Sequence, residues 1–297
     1  MLRRHALIVI VGVGLAATIG CRRSGQDLRV EGSDTMVNLA QAWAEAYRKV
    51  SPTTVIAVSG GGTGTGIASL ENGTVDIANA SRELKAKEKE MAKKNTGKDP
   101  VEHLVAYDSI AVYTHQSNPI QSISREQLGC IYGEKGTCKK WTDLGIEVPG
   151  CAGQEIVRVS RQNNSGTYAF FREWVLGETQ DFKLGSRDMQ GSKDVVDLVE
   201  RTPCAIGYSG IGYKTPKIKT VCVTLDQNSP CVEPSIANAV SGNYPISRGL
   251  YMYTLGEPQG DLAKYLNWIQ SDMAQQIVEK VGYAPLPEAK RIIRKLQ

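Results

Sequence analysis

The sequence predicts an α/β protein made of two lobes with a cleft between them. Three observations carry this expectation. The first 80 residues run β-α-β-α-β, an order that favours a parallel sheet with helices on its faces. A second strand-and-helix series starts near residue 125. Further strand-like stretches at 104–114 and 250–254 fit two such lobes joined by extended crossings.

The elements follow in order. Residues 28–30 read as a strand, and Gly32-Ser33-Asp34-Thr35 is a turn into a helix. Met36, Leu39, Ala40, Trp43, Tyr47 and Val50 recur at helical spacing and give that helix one buried face. Pro52 follows its end, and residues 55–58 are β-branched and strand-like. The run Gly60-Gly61-Gly62-Thr63-Gly64-Thr65-Gly66 leads into a short helix at 67–70, and residues 75–80 read as a buried strand. Residues 83–94 are a highly charged helix whose charges read as a solvated face. In the second series, 125–131, 165–176 and 192–200 are helical, and 156–159, 205–208 and 220–225 are strands. Residues 261–281 read as one long helix before a basic tail.

The N-terminus bears on all of this. Arg3 and Arg4 precede an apolar run from 6 to 19, shorter than the roughly 20 residues that span a bilayer. That pattern is a secretory signal. Gly20-Cys21 closes it and resembles a bacterial lipoprotein processing site, although Thr18 stands where that pattern prefers leucine. Cys21 is then the lipidated first residue of the mature chain, and residues 22–27 form a polar tether. Residues 1–20 hold two of the 35 basic residues and none of the 31 acidic ones, which leaves 33 against 31 in the mature chain, a net +2. The charges are spread, so nothing marks a nucleic-acid partner. The six other cysteines, Cys130, Cys138, Cys151, Cys204, Cys222 and Cys231, suit disulfides in an exported chain. Six cysteines allow 15 connectivities; the spacing of nine between Cys222 and Cys231 suggests that pair.

Three segments share one design, in which a strand ends, a Gly/Ser/Thr-rich turn follows and a helix begins. They are Gly32 to Met36, Gly62 to Gly66 and Arg161 to Thr167. Helix N-termini offer unpaired N–H groups and about half a positive charge. Glycines admit an anion close to the backbone, and hydroxyls add donors. Arg161 adds a planar fork suited to an oxyanion. The same residue types are also ordinary helix caps, so each turn taken alone is consistent with capping. Enzyme motifs fail: the glycine run lacks G-K-[ST] and does not match G-x-G-x-x-G, and neither G-x-S-x-G nor H-E-x-x-H occurs. His103 and His115 read as structural or surface histidines, so no metal or other cofactor is expected.

These residues also carry a resemblance. Gly32-Ser33-Asp34-Thr35, Gly60 to Ile67, Asp76-Ile77-Ala78-Asn79-Ala80-Ser81-Arg82, Tyr107 to Val112 with Asn118-Pro119, Arg161 with Ser165-Gly166-Thr167, Ala205 to Tyr208 and Tyr244-Pro245-Ile246-Ser247-Arg248 occur in order over nearly the whole mature chain. The set resembles the periplasmic phosphate-binding proteins of ABC importers. The resemblance implies a two-lobed periplasmic-binding-protein (Venus flytrap) fold, each lobe a mixed, mainly parallel sheet flanked by helices. The first lobe then spans 28–108 and 246–297, and the second 109–245. It implies a phosphate site of Ser33, Thr35, Met36, Thr63, Gly64, Ser81, Arg161, Ser165, Gly166 and Thr167, with no cofactor and no catalysis. Ser81 stands where well-known members have the aspartate that accepts the phosphate proton, and Asn163 where they have one bracing the arginine. Asp34 could supply the missing acceptor, or could face solvent at a helix start. The partners implied are inorganic phosphate and the permease subunits of an importer, the protein being a monomer held to the membrane by its lipid. The alternatives are a binder of sulfate or another tetrahedral oxyanion, a secreted phosphatase and a phosphate sensor.

Overall fold

The computed structural model describes residues 27–226 and 228–294. The signal segment 1–20, Cys21 and tether residues 22–26 lie outside the described residues. Asp27, read as the end of the tether, begins the first strand.

The chain opens with β1 (Asp27–Gly32), α1 (Val37–Val50), β2 (Val55–Gly61), α2 (Thr63–Glu71), β3 (Ile77–Ala80) and α3 (Ala86–Thr96). A 16-residue strand follows, β4 (Pro100–His115). The second series comprises β5 (Ser122–Ser124), α4 (Arg125–Tyr132), β6 (Val157–Arg161), α5 (Gly166–Leu176), β7 (Arg187–Met189), α6 (Ser192–Glu200), β8 (Ala205–Gly210), β9 (Ile218–Thr224) and α7 (Ile236–Val240). The chain ends with β10 (Ser247–Leu255), α8 (Gly260–Ile269) and α9 (Asp272–Val281).

As the β-α-β-α-β reading requires, β1 pairs in parallel with β2 on one side and β3 on the other. The antiparallel strand β10 then joins β3 to the first part of β4, from Pro100 to Ser109. From Ile110 to His115 the same strand pairs antiparallel with β8 and β9 instead. Strand β8 continues in parallel to β6 and then β7, and β5 adds to β9. One long strand thus belongs to two mixed sheets and changes partner between Ser109 and Ile110. The return crossing lies beside it, because Ser247 at the start of β10 is paired with Ser109.

Each sheet has its own core. Helix α1 buries Leu39, Ala40, Trp43 and Tyr47 against the first sheet and the C-terminal helices, and the indole of Trp43 donates to the Ala274 carbonyl. Val50, expected on that buried face, is 54% exposed at the end of the helix. The second core gathers Ile123, Leu128, Tyr132, Trp141, Phe171, Ile206, Tyr208 and Tyr244. The long helix expected at 261–281 is two. Gln270 and Ser271 interrupt it, and the Ser271 hydroxyl caps α9 by accepting from the Ala274 N–H. The apolar periodicity runs through this break, which hid it. The short elements β5, β7 and α7 were too brief to give a period. The cysteines pair as Cys130–Cys138, Cys151–Cys204 and Cys222–Cys231, all within the second series.

Candidate functional site

The three turns read as anion sites meet where the two sheets join. The first follows β1; the second is Gly62 with the first turn of α2, a helix expected at 67–70 that begins at Thr63; and the third joins β6 to α5. The Thr35 and Thr167 hydroxyls, 132 residues apart in sequence, lie 2.7 Å apart. Ser33 Oγ donates to Ser81 Oγ at 2.9 Å, and Thr63 Oγ1 lies 3.3 Å from Ser81 Oγ. All five side chains are buried.

Capping does not account for these hydroxyls. No side-chain cap forms at Ser33 or at the start of α2, where Gly62 holds the cap position at φ 95°. The Ser33 and Thr63 hydroxyls turn to Ser81 Oγ instead, and that of Thr35 crosses the junction to Thr167. Ser165 does cap α5, accepting from the Tyr168 N–H. Among the described residues, no backbone carbonyl takes the N–H of Gly166 or Thr167, so the α5 N-terminus faces the cluster with free donors. Gly166 is needed there for a second reason: a Cβ would lie 2.5 Å from Thr63 Oγ1 and 2.7 Å from Ser81 Oγ. The two other expected backbone donors are engaged in this conformation. The Met36 N–H donates to the Ser33 carbonyl, and the Gly64 N–H crosses to the Asn164 carbonyl at 2.8 Å.

Arg161 ends β6 and is 1% exposed. Its Nε donates to the carbonyls of Met189 and Gln190, Nη1 to Ser192 Oγ, and Nη2 to Gln190 O and to Asp34 Oδ2 at 3.0 Å. Burial pushes this guanidinium below its ordinary value, the Asp34 carboxylate opposes the shift, and the nearby positive charge of Arg248 adds to it. Asp34 therefore does not face solvent. It braces Arg161 across the junction, and its Oδ1 accepts the Gly61 N–H. Asn163, where the resemblance implies a brace, is exposed.

A second buried arginine escaped the sequence reading of the site. Arg248, near the start of β10, donates from Nε and Nη2 to Asp108 Oδ2 at 3.2 and 2.9 Å. Its Nη1 donates to the Ser81 carbonyl, and Nη2 also reaches Thr167 Oγ1 at 2.9 Å and Thr35 Oγ1 at 3.3 Å. Burial pushes the Asp108 carboxyl up; the charge of Arg248 and the hydrogen bonds from Arg248 and the Ile211 N–H pull it back down. The only sequence signal was its place at the end of the Tyr244-to-Arg248 motif.

A cavity of about 490 Å³ opens beside Arg248, lined among others by Arg82, Lys85, Phe170, Arg172 and Tyr251. A separate cavity of about 460 Å³ lies in the loop around 140–154, made of other residues. His103 is buried in β4 against Thr254, and His115 bonds Ser117, so neither belongs to the cluster. Among the described residues, no three His, Cys, Asp or Glu side chains gather as a metal site would need. No helix of the described residues is long and apolar enough to cross a membrane.

Residues 18–273 match the model of a PBP superfamily domain. The sequence is 34% identical over 311 residues to the phosphate-binding protein PstS of Pseudomonas aeruginosa PAO1, covering 97% of this chain and 96% of that one. The chain belongs to the family of periplasmic phosphate-binding proteins of ABC importers. PstS of Bacillus subtilis 168 is 31% identical, with 91% and 84% covered. Among solved structures, a phosphate ABC transporter substrate-binding protein from Clostridium perfringens, with bound phosphate, superposes with a TM-score of 0.78 at 28% identity, covering 88% of this chain and all of that one. The two-sheet α/β architecture expected from the sequence is the fold of this family.

Proposed function

We propose that the junction captures inorganic phosphate and that the protein delivers it to an ABC importer. One observation carries the reading: buried hydroxyls from three turns, a free helix N-terminus and buried arginine charge converge on one point. That donor-rich set matches a small tetrahedral oxyanion. The relatives' shared name, phosphate-binding protein, supports phosphate as that anion. Residues 28–108 with 246–297, and 109–245, act as two lobes that close on it. Ser33, Thr35, Thr63, Ser81, Ser165 and Thr167 supply hydroxyls, Gly166 an amide, and Arg161 charge. Met36 and Gly64 join when the anion displaces the Ser33 and Asn164 carbonyls from their amides.

The protein binds and releases its ligand without chemistry, as a monomer. It works outside the cytoplasm, tethered by a lipid on Cys21, which Cys21→Ser tests by releasing it from the membrane fraction. Calorimetry on the soluble form, lacking residues 1–21, tests the ligand. One phosphate bound per chain and no turnover of a phosphomonoester are expected. Equal competition by sulfate would replace the reading with a general oxyanion binder, and clear ester turnover with a phosphatase.

A further inference from the structure

We propose that Arg248 is a second anion-binding guanidinium of this cleft and that Asp108 is the positioning residue that aims it. The proposal rests on the reading of the cleft as a phosphate site. Of the two buried arginines, Arg248 is the one in hydrogen-bond contact with the converged hydroxyls. Its Nη2 touches Thr35 from one side of the junction and Thr167 from the other. The same side chain reaches the carbonyl of Ser81 through Nη1. Three of the residues expected to hold the anion therefore surround this one guanidinium.

The chemistry of these contacts has a direction. A guanidinium only donates, whereas a hydroxyl has one donor and two acceptor lone pairs. Thr35 and Thr167 must therefore accept from Arg248 and turn their protons elsewhere. An anion in the cluster receives those protons. Arg248 fixes two hydroxyls as donors and brings a charge within one bond of them.

Asp108 explains how the charge is held. The carboxylate is fully buried, one oxygen taken by Nε and Nη2 and the other by the Ile211 N–H. In the ladder Arg248 and Asp108 are directly paired across β10 and β4, so the strands themselves set the geometry. The ring of Phe170 covers the guanidinium at 5.7 Å, a cation–π contact that shields it from water. A simple structural ion pair would not need its remaining N–H groups turned to the hydroxyl cluster. Burying a pair is costly, and removing one member leaves an uncompensated charge. The informative variant therefore changes both.

The test pairs Asp108→Asn with Arg248→Gln, which keeps side-chain hydrogen bonding and removes both charges together. A cooperative melt like the parent's is expected, with phosphate affinity by calorimetry down about 30-fold or more. A folded double variant that binds within about threefold of the parent overturns the assignment and leaves the phosphate reading standing. A parent that binds no phosphate overturns both. The unaltered protein gives an independent check. With 15N-labelled arginine and saturating phosphate, solid-state NMR should find two guanidinium groups dephased by 31P. A single dephased guanidinium overturns the proposal, whether or not the double variant folds.

Discussion

Replacing Asp34 with asparagine isolates what its carboxylate does for the ligand. Oδ1 accepts the Gly61 N–H, and Oδ2 lies 3.0 Å from Arg161 Nη2. Asparagine keeps the shape and an oxygen for Gly61 but loses the charge. At that distance and an effective dielectric of about 20, the gross attraction to Arg161 is about 5–6 kcal/mol. Desolvation of both partners offsets most of it. Two consequences fall on every anion alike: a repelling neighbour disappears, and Arg161 is held less firmly. Both cancel in a ratio of affinities. What survives in the ratio is the ligand's proton. At neutral pH phosphate keeps at least one proton and sulfate none, and an ionised carboxylate accepts that proton, a bond sulfate cannot offer it. The Ser81 hydroxyl can donate as readily as it accepts. A hydrogen bond to a charged acceptor contributes about 1.5–3 kcal/mol. In Asp34→Asn the phosphate-to-sulfate affinity ratio is therefore expected to fall about 10- to 150-fold. Calorimetric titration of both anions at one pH and one salt concentration measures it. A ratio unchanged within about threefold would refute the reasoning and leave Asp34 as the brace of Arg161 alone.

Three further outcomes are expected. Arg161→Ala weakens phosphate binding by about 30-fold or more, and Arg161→Lys less, because lysine keeps the charge but loses the fork; wild-type affinity in Arg161→Ala would remove Arg161 from the site. Gly166→Ala places a Cβ against Thr63 and Ser81, so phosphate affinity measured by calorimetry drops about 5- to 150-fold; unchanged affinity would mean that the two sides never approach this closely with ligand bound. Burial lowers the pKa of His103 to about 3, so the folded state refuses a proton that the unfolded chain takes up near pH 6.5; stability is full above that value and declines as pH falls toward 3. Melting scans from pH 7 to pH 5 should show the loss, and His103→Gln should reduce it.

Much of the fold was legible because its signals are local. The apolar face of α1 is a period within one helix, and α6 was read to its observed ends, Ser192–Glu200. The three turns announced themselves by composition. Their convergence did not, because Thr35 meets Thr167 only through the sheet junction. The same holds for charge pairing. Asp34 and Arg161 stand 127 residues apart, and Asp108 and Arg248 stand 140 apart. No spacing rule links such positions, so neither the pairing of Asp34 with Arg161 nor that of Asp108 with Arg248 is legible in the sequence. Capping propensity misled in the other direction. Ser33 and Thr63 have the residue types of caps, yet a buried cluster of other hydroxyls offers them partners that a cap would forgo.

The placement of the two arginines bears on how capture and closure divide the work. Asp34 to Arg161, Thr35 to Thr167, Gly64 to Asn164 and the Asn164 amide to Gly61 all cross the junction. Under the proposed closure these contacts form only when the lobes come together. A ligand shifts such an equilibrium only by its differential affinity for the closed form. The Thr35–Thr167 contact is a neutral hydroxyl pair, and an anion replaces it with charge-assisted bonds roughly twice as strong, so the gain belongs to the closed form. Arg248 stands differently. It is anchored to Asp108 across two paired strands beside the point where β4 changes sheets, where a hinge moves least. Its charge is therefore nearly as available in the open form as in the closed one. Attraction that is the same in both forms draws the anion in without driving closure; the hydroxyls and the α5 N-terminus, which meet the anion together only in the closed form, supply the difference that shuts the cleft.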